Sequence, residues 1–210
     1  MTEVTGEINA VRRRVGERVL EAGAARTVTI ARTYDAPVED VWDACTDPER
    51  IPRWFLPISG DLRPGGRYQL EGNAGGTIQR CDPPRALDAT WEFAGQVSWI
   101  ELRLTAEPGG RTRFALEHVA HADDHWDEFG PGAVGIGWEL GMLALSQYLP
   151  AGRLGRPRIG PEWPASDEGR AFIALSGERW RAAHAAAGVA EDVAASCAAR
   201  TIAAYTGTVE

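Results

Sequence analysis

The sequence predicts an α+β fold, an antiparallel meander of short strands covered on one face by a single long helix. Three observations carry that reading. Residues 54–119 alternate apolar and polar side chains in short runs broken by Gly- and Pro-rich turns. Residues 131–149 switch to helical spacing, with Val134, Trp138, Gly141 or Met142, and Leu145 on one stripe. Beyond Pro150 the chain turns alanine-rich and carries two further helical patterns.

Taken in order, Val4, Ile8, Val11, Val15 and Val19 recur every three or four residues between charged positions, which predicts an amphipathic helix over residues 1–25. Residues 26–33 then alternate with β-branched side chains, a first strand. Pro37 opens a short helix whose stripe is Val38, Val41, Trp42 and Cys45, and a further helical turn is expected over Pro48–Ile51, closed by Pro52. The meander follows as Asp61–Leu62, Gly66–Glu71, Gly76–Asp82, Ala86–Phe93, Val97–Ala106 and Arg111–Val119. Its turns are compositions that supply the needed dihedrals, such as Ala94-Gly95 and Glu107-Pro108-Gly109-Gly110. Period two places Leu87, Ala89, Trp91 and Phe93 on one face, with Ile100, Leu102, Leu104 and Phe114, Leu116, His118 likewise. Asp88, Thr90, Glu92, Glu101, Arg103, Arg113 and Glu117 fall opposite, so one face is covered and one is wet. Trp99 falls out of phase, on the outer face.

The long helix contains Gly132, Gly135, Gly137 and Gly141, each costing about 1 kcal/mol relative to alanine. Such a helix implies either close approach of a neighbour or room left beneath it. Residues 26–150 therefore form the main domain, 151–164 a Gly/Pro/Arg-rich linker and 165–210 a helical hairpin. Ser166 is placed to cap the first hairpin helix, and Gly188 and Gly207 to stop the two.

Composition narrows the chemistry. The 210 residues carry a net charge of −8, and all 22 cations are arginine. With no lysine there is no Schiff-base nucleophile, no lysine base and no P-loop. An acidic chain is a poor general nucleic-acid binder, so no nucleic-acid partner is expected. Arg12, Arg13, Arg14, Arg103, Arg113, Arg179 and Arg181 fall on wet faces. Cys45, Cys81 and Cys197 are too far apart for a CxxC motif and read as free thiols of a reducing cytoplasm. The first 14 residues lack a secretory pattern, and no run is long and apolar enough for a membrane span, so a cytoplasmic protein is expected.

Two motif readings fail on context. His118, His121 and His125 have the i, i+3, i+7 spacing of a metal site only on a helix, and His118 ends a strand. No metal is expected, and residues 121–128 read as an exposed acidic loop at the rim of the covered face. The string Gly130-Pro131-Gly132-Ala133-Val134-Gly135 lacks the βαβ unit and downstream acid of a dinucleotide site, and no GxSxG elbow is present. No cofactor is expected.

Val41-Trp42, Trp54-Phe55, Asp61-Leu62-Arg63-Pro64-Gly65-Gly66-Arg67-Tyr68, Asp82-Pro83-Pro84-Arg85-Ala86-Leu87, Thr90-Trp91 and Leu116-Glu117-His118, in this order, resemble the START-like (SRPBCC) superfamily. The branch is the one similar to the C-terminal domain of the activator of the 90-kDa heat-shock-protein ATPase. The resemblance implies a helix-grip fold, a curved antiparallel sheet around a long C-terminal helix, with a cavity between them for a lipid, polyketide or other apolar ligand. The lining expected there is Trp42, Trp54, Phe55, Tyr68, Gln79, Trp91, Phe93, Leu102, Phe114, Leu116, His118, Trp138, Gly141, Met142 and Leu145. His118 and Glu139 are the candidate acid and base should the ligand be transformed by a cyclase-like or hydrolytic reaction. A co-chaperone-like protein-binding module is the third reading, and the alanine-rich hairpin offers a surface for homodimerisation.

Overall fold

The computed structural model describes residues 2–152 and 154–207. Residue 153 of the expected linker and the last three residues of the expected hairpin lie outside them. The chain has the expected helix-grip α+β architecture. An eight-stranded sheet has the order β1-β2-β8-β7-β6-β5-β4-β3. Its strands are β1 (Arg12–Leu20), β2 (Gly23–Tyr34), β3 (Ile58–Gly60), β4 (Arg67–Leu70), β5 (Gly75–Asp82), β6 (Ala86–Phe93), β7 (Gln96–Glu107) and β8 (Arg111–His121). The helices are α1 (Thr2–Asn9), α2 (Val38–Thr46), α3 (Ile51–Trp54), α4 (Asp124–Phe129), α5 (Gly132–Tyr148), α6 (Asp167–Ala186) and α7 (Glu191–Thr206).

Four local expectations are corrected. The N-terminal helix ends at Asn9, and residues 12–20 are a strand. Val11, Val15 and Val19 are spaced by four, which suits a strand of period two as well as a helix; only the three-residue step from Ile8 to Val11 is helix-specific. The helical turn expected at Pro48–Ile51 forms, the Arg50 and Ile51 amides donating to the Asp47 carbonyl at 2.9 and 3.0 Å, but Pro52 does not close it: the chain runs on as α3 to Trp54, because Pro52 sits in the first turn of α3, where a missing N–H costs nothing. The strand expected at Asp61–Leu62 lies at Ile58–Gly60. The acidic loop contains α4, capped by Asp123, whose carboxylate accepts from the Trp126 amide at 2.9 Å.

Two units account for the internal contacts: residues 31–120 with 141–158, here the sheet unit, and residues 2–30, 121–140 and 159–207, here the helical unit. Strand β2 and helix α5 contribute residues to both. In the sheet unit, β3 to β8 form an uninterrupted antiparallel meander. The Tyr34 hydroxyl donates to the Met142 carbonyl at 3.2 Å, and its ring meets Phe114 edge-on at 5.9 Å. Arg50, only 2% exposed, donates to the Tyr148 hydroxyl at 2.9 Å and to the Asp40 carboxylate at 2.8 Å.

In the helical unit, α6 and α7 pack on one another and on the first half of α5. A Cβ at Gly135 would overlap the Trp180 ring, one at Gly132 would stand 3.2 Å from the Thr201 methyl, and one at Gly137 would stand 3.0 Å from the Tyr205 hydroxyl. Three of the four helix glycines thus serve close approach of the hairpin. Ser166 caps α6 as expected, accepting from the Gly169 amide at 3.0 Å, and Gly207 ends α7 in the left-handed region.

Arg13 departs from the wet-face reading. Its side chain is 7% exposed and its guanidinium grips both carboxylate oxygens of Glu139, each at 2.6 Å. The remaining donors reach the Val11 and Ile8 carbonyls at 2.9 and 3.1 Å. Strand alternation turns Arg13 inward, and the buried carboxylate makes that tolerable.

Candidate functional site

The site is assembled on the inner face of the sheet unit. Cross-strand pairing aligns Ile78, Ala89, Ile100 and His118 in one row, Leu87, Leu102 and Leu116 in the next, and Trp91 with Ser98 beyond. Tyr68, Leu70, Ile78 and Ala89 form a buried floor. Phe55, Leu56, Ile58, Leu62, Leu87, Trp91 and Ile100 pack against that floor while remaining half-buried. Seven large apolar side chains left part-open around one core is more than chance exposure, since isolated exposed hydrophobes are scattered singly.

One buried polar pair faces this surface. His118, 4% exposed, shares a hydrogen bond of 2.9 Å between its Nε2 and Ser98 Oγ, and Trp91 meets its ring edge-on at 6.3 Å. Burial pushes the His118 pKa down to about 4, so the imidazole is neutral at pH 7. Ser98 has one hydroxyl proton and donates it to the Trp91 carbonyl at 3.0 Å. Nε2 is then the donor to Ser98, and the pair is not a serine nucleophile facing its base. Tyr68 donates to the Thr90 carbonyl at 2.7 Å. Burial, and then the Glu92 charge, raise its phenol above the ordinary range, so it stays protonated.

The expected lining is placed as follows. Tyr68, Trp91, Leu102, Phe114, Leu116 and His118 lie on the inner side of their strands, and Trp42, Met142 and Leu145 are buried on α2 and α5. Trp54 is half-buried, its indole N–H bonded to the Ala44 carbonyl at 2.9 Å, with Phe55 tilted against it at 5.4 Å. A Cβ at Gly141 would lie 3.6 Å from the Phe55 ring, an ordinary contact that leaves space beside Phe55. Two residues depart from the expectation. Gln79 is exposed, because Ile78 points into the floor and alternation turns its neighbour outward, at the point where the β5–β6 register shifts between Ile78 and Arg80. Phe93 is 54% exposed at the tip of the β6–β7 hairpin, beyond the covered rows.

Trp138 and Glu139 belong to the helical unit. Glu139 is 1% exposed and held by Arg13, so it is the counter-ion of a buried cation rather than a carboxylate presented to a substrate. Leu56, Ile58, Leu62, Leu70, Ile78 and Ser98 were not expected in the site, and Leu87, Ala89 and Ile100, though placed on the covered side of their strands by alternation, were not in the expected lining either. Extending the Ile100–Leu102–Leu104 alternation two residues back reaches Ser98. Among the described residues no three His, Cys, Asp or Glu side chains stand close enough to hold a metal ion, and no helix is long and apolar enough to cross a membrane. His125 lies on α4 with its ring 4.9 Å from that of Phe129.

This fold has known relatives. A family model described as Activator of Hsp90 ATPase homolog 1-like protein matches residues 35–149. The chain belongs to this family. It is thereby a member of the START-like superfamily, as its motifs suggested. Among solved structures it is similar to CalU16 from Micromonospora echinospora. The crystal structure of that protein is 39% identical over 84% of this chain and 99% of CalU16, with a TM-score of 0.69. Its solution NMR structure gives 40%, 85%, 97% and 0.68. A conserved protein of unknown function from Enterococcus faecalis, EF2215, shares the fold at 12% identity, over 87% of this chain and 96% of that one, with a TM-score of 0.60. No curated protein matches the chain.

Proposed function

We propose that the protein binds an apolar small molecule, a lipid or polyketide-like metabolite, on the inner face of the sheet unit, for carriage, sensing or sequestration. The observation that carries this reading is the ring of half-buried apolar side chains, Phe55, Leu56, Ile58, Leu62, Leu87, Trp91 and Ile100, around a closed floor. A surface of that kind gains about 25 cal/mol for each Å² of apolar area covered. The polar groups beside it are few and neutral, namely the His118–Ser98 pair and the Tyr68 hydroxyl, which suits orientation of a carbonyl or hydroxyl rather than capture of an ion. Glu139 is engaged elsewhere and Ser98 is not activated, so binding without transformation is the reading supported best.

The test is titration with the neutral fluorescent probe N-phenyl-1-naphthylamine. Saturable binding is expected, displaced by long-chain lipids or fused-ring polyketides. Ile100→Trp, which fills the floor's open side, should weaken it at least about tenfold, or 1.4 kcal/mol. Binding unaffected by Ile100→Trp refutes the site, and recovery of a chaperone by the probe-free protein, with no probe binding, would favour the protein-binding reading instead.

A further inference from the structure

A cavity of about 300 Å³ lies wholly within the helical unit and shares no residue with the sheet face. Its volume equals that of roughly ten water molecules. Two perpendicular planes make its inner corner. Trp126 of α4 and His184 of α6 meet edge-on at 5.9 Å and 85°. Val189 and Val193, on the turn after α6 and on α7, form an apolar rim, and Val193 is 46% exposed at the mouth.

The polar lining is unsatisfied in a specific way. His184 is 5% exposed, and its buried Nδ1 finds no hydrogen-bond partner. The same holds for the buried Nε–H of Arg26, whose outer nitrogen is paired with Glu17. A buried donor without an acceptor has lost its water and gained nothing in return, so a ligand oxygen reaching it relieves that cost. Burial, and then the Arg26 charge, lower the His184 pKa, so the imidazole is neutral and can accept or donate. Gly130, at φ 64°, closes α4 against this corner; a Cβ there would stand 3.1 Å from His184 Nδ1 and 3.1 Å from the Cys197 Cβ.

The charges decide what fits. Arg26 is already balanced by Glu17, and Asp127 is a second acidic residue among those that line the cavity, so the local balance opposes an anion. We infer that the helical unit carries a second small-molecule site for a neutral, flat aromatic molecule bearing a hydroxyl or carbonyl oxygen, seated in the Trp126–His184 corner and hydrogen-bonded by Arg26 and His184.

The full chain is photolabelled with 4-hydroxybenzophenone, kept below its phenol pKa, and the attachment sites are read from peptides cut after arginine. Peptide 182–200 contains His184, Val189, Val193 and Cys197, whereas peptide 86–103 covers the sheet face. Saturable labelling of peptide 182–200 is expected, falling at least tenfold in Val193→Trp and in Ala187→Trp, which plug the mouth, and falling likewise when 4-carboxybenzophenone replaces the phenol. Labelling of peptide 86–103 should respond to Ile100→Trp and not to Val193→Trp, so the two sites fail separately. Absence of saturable labelling on peptide 182–200, labelling unchanged by both plugging variants, or equal labelling by the carboxylate overturns the inference.

Discussion

Replacing Glu139 with leucine tests how the helical unit tolerates a buried charge. The Glu139 side chain is fully buried and that of Arg13 is 7% exposed. The substitution leaves the guanidinium with the Val11 and Ile8 carbonyls alone. Removing one member of a buried pair costs about 3–5 kcal/mol, because the other charge stays desolvated. For a chain of this length, about 2–4 °C per kcal/mol, the melting temperature should fall by roughly 6–20 °C. Adding Arg13→Met removes the stranded charge, and the double variant should return to within about 1 kcal/mol of the parent or exceed it. Calorimetry on the four proteins of this double-mutant cycle gives the coupling energy directly. A shift below about 2 °C in Glu139→Leu is the size expected of a solvent-screened pair, and would refute both the burial and its consequence that Glu139 is unavailable for chemistry.

Three further outcomes follow from the same geometry. His118 has its folded pKa lowered from 6.5 to about 4, so the unfolded chain takes up its proton first as pH falls. Its contribution is whole above pH 6.5 and is lost progressively down to about 4, by about 3 kcal/mol, and the His118→Gln protein should show a correspondingly shallower loss of stability in denaturant titrations over that range. Gly135→Ala should destabilise by about 1–3 kcal/mol, since its Cβ overlaps Trp180, whereas Gly141→Ala should raise the melting point through about 1 kcal/mol of helix propensity. Leu87→Trp should weaken the naphthylamine probe without lowering thermal stability, because Leu87 is half-buried at the edge of the floor; equal loss of both would mean that the side chain is core rather than lining.

The sheet was legible where alternation was long. Strand β6 runs from Ala86 to Phe93, as its pattern and turn residues indicate, and α5 begins and ends within a residue or so of its expected bounds. Legibility failed where two periods coincide. From Val11 to Val19 a spacing of four fits helix and strand alike, and the run of arginines concealed that Arg13 points inward to a carboxylate 126 residues away. The site was legible in its apolar rows and illegible in its polar details. No local pattern encodes the register shift after Ile78, which depends on the partner strand and brings Cys81 opposite Leu87, whereas the outward turn of Gln79 follows from alternation once Ile78 is known to face in. The glycines of α5 signalled close packing, and the neighbours that require it, Trp180, Thr201 and Tyr205, lie in the hairpin, which only tertiary structure brings to them. The family motifs lie within residues 35–149, so the cavity lined by His184 and Val193 had no motif to announce it.

The central claim is that the half-buried apolar ring on the sheet face is a binding surface. The most direct measurement is the pattern of intermolecular NOEs between N-phenyl-1-naphthylamine and methyl-labelled protein. Contacts to the methyl groups of Leu87, Ile100 and Leu56 are predicted, with a concurrent shift of the His118 imidazole. Contacts confined to exposed side chains such as Val19 and Val97, or none at saturating probe, would contradict it.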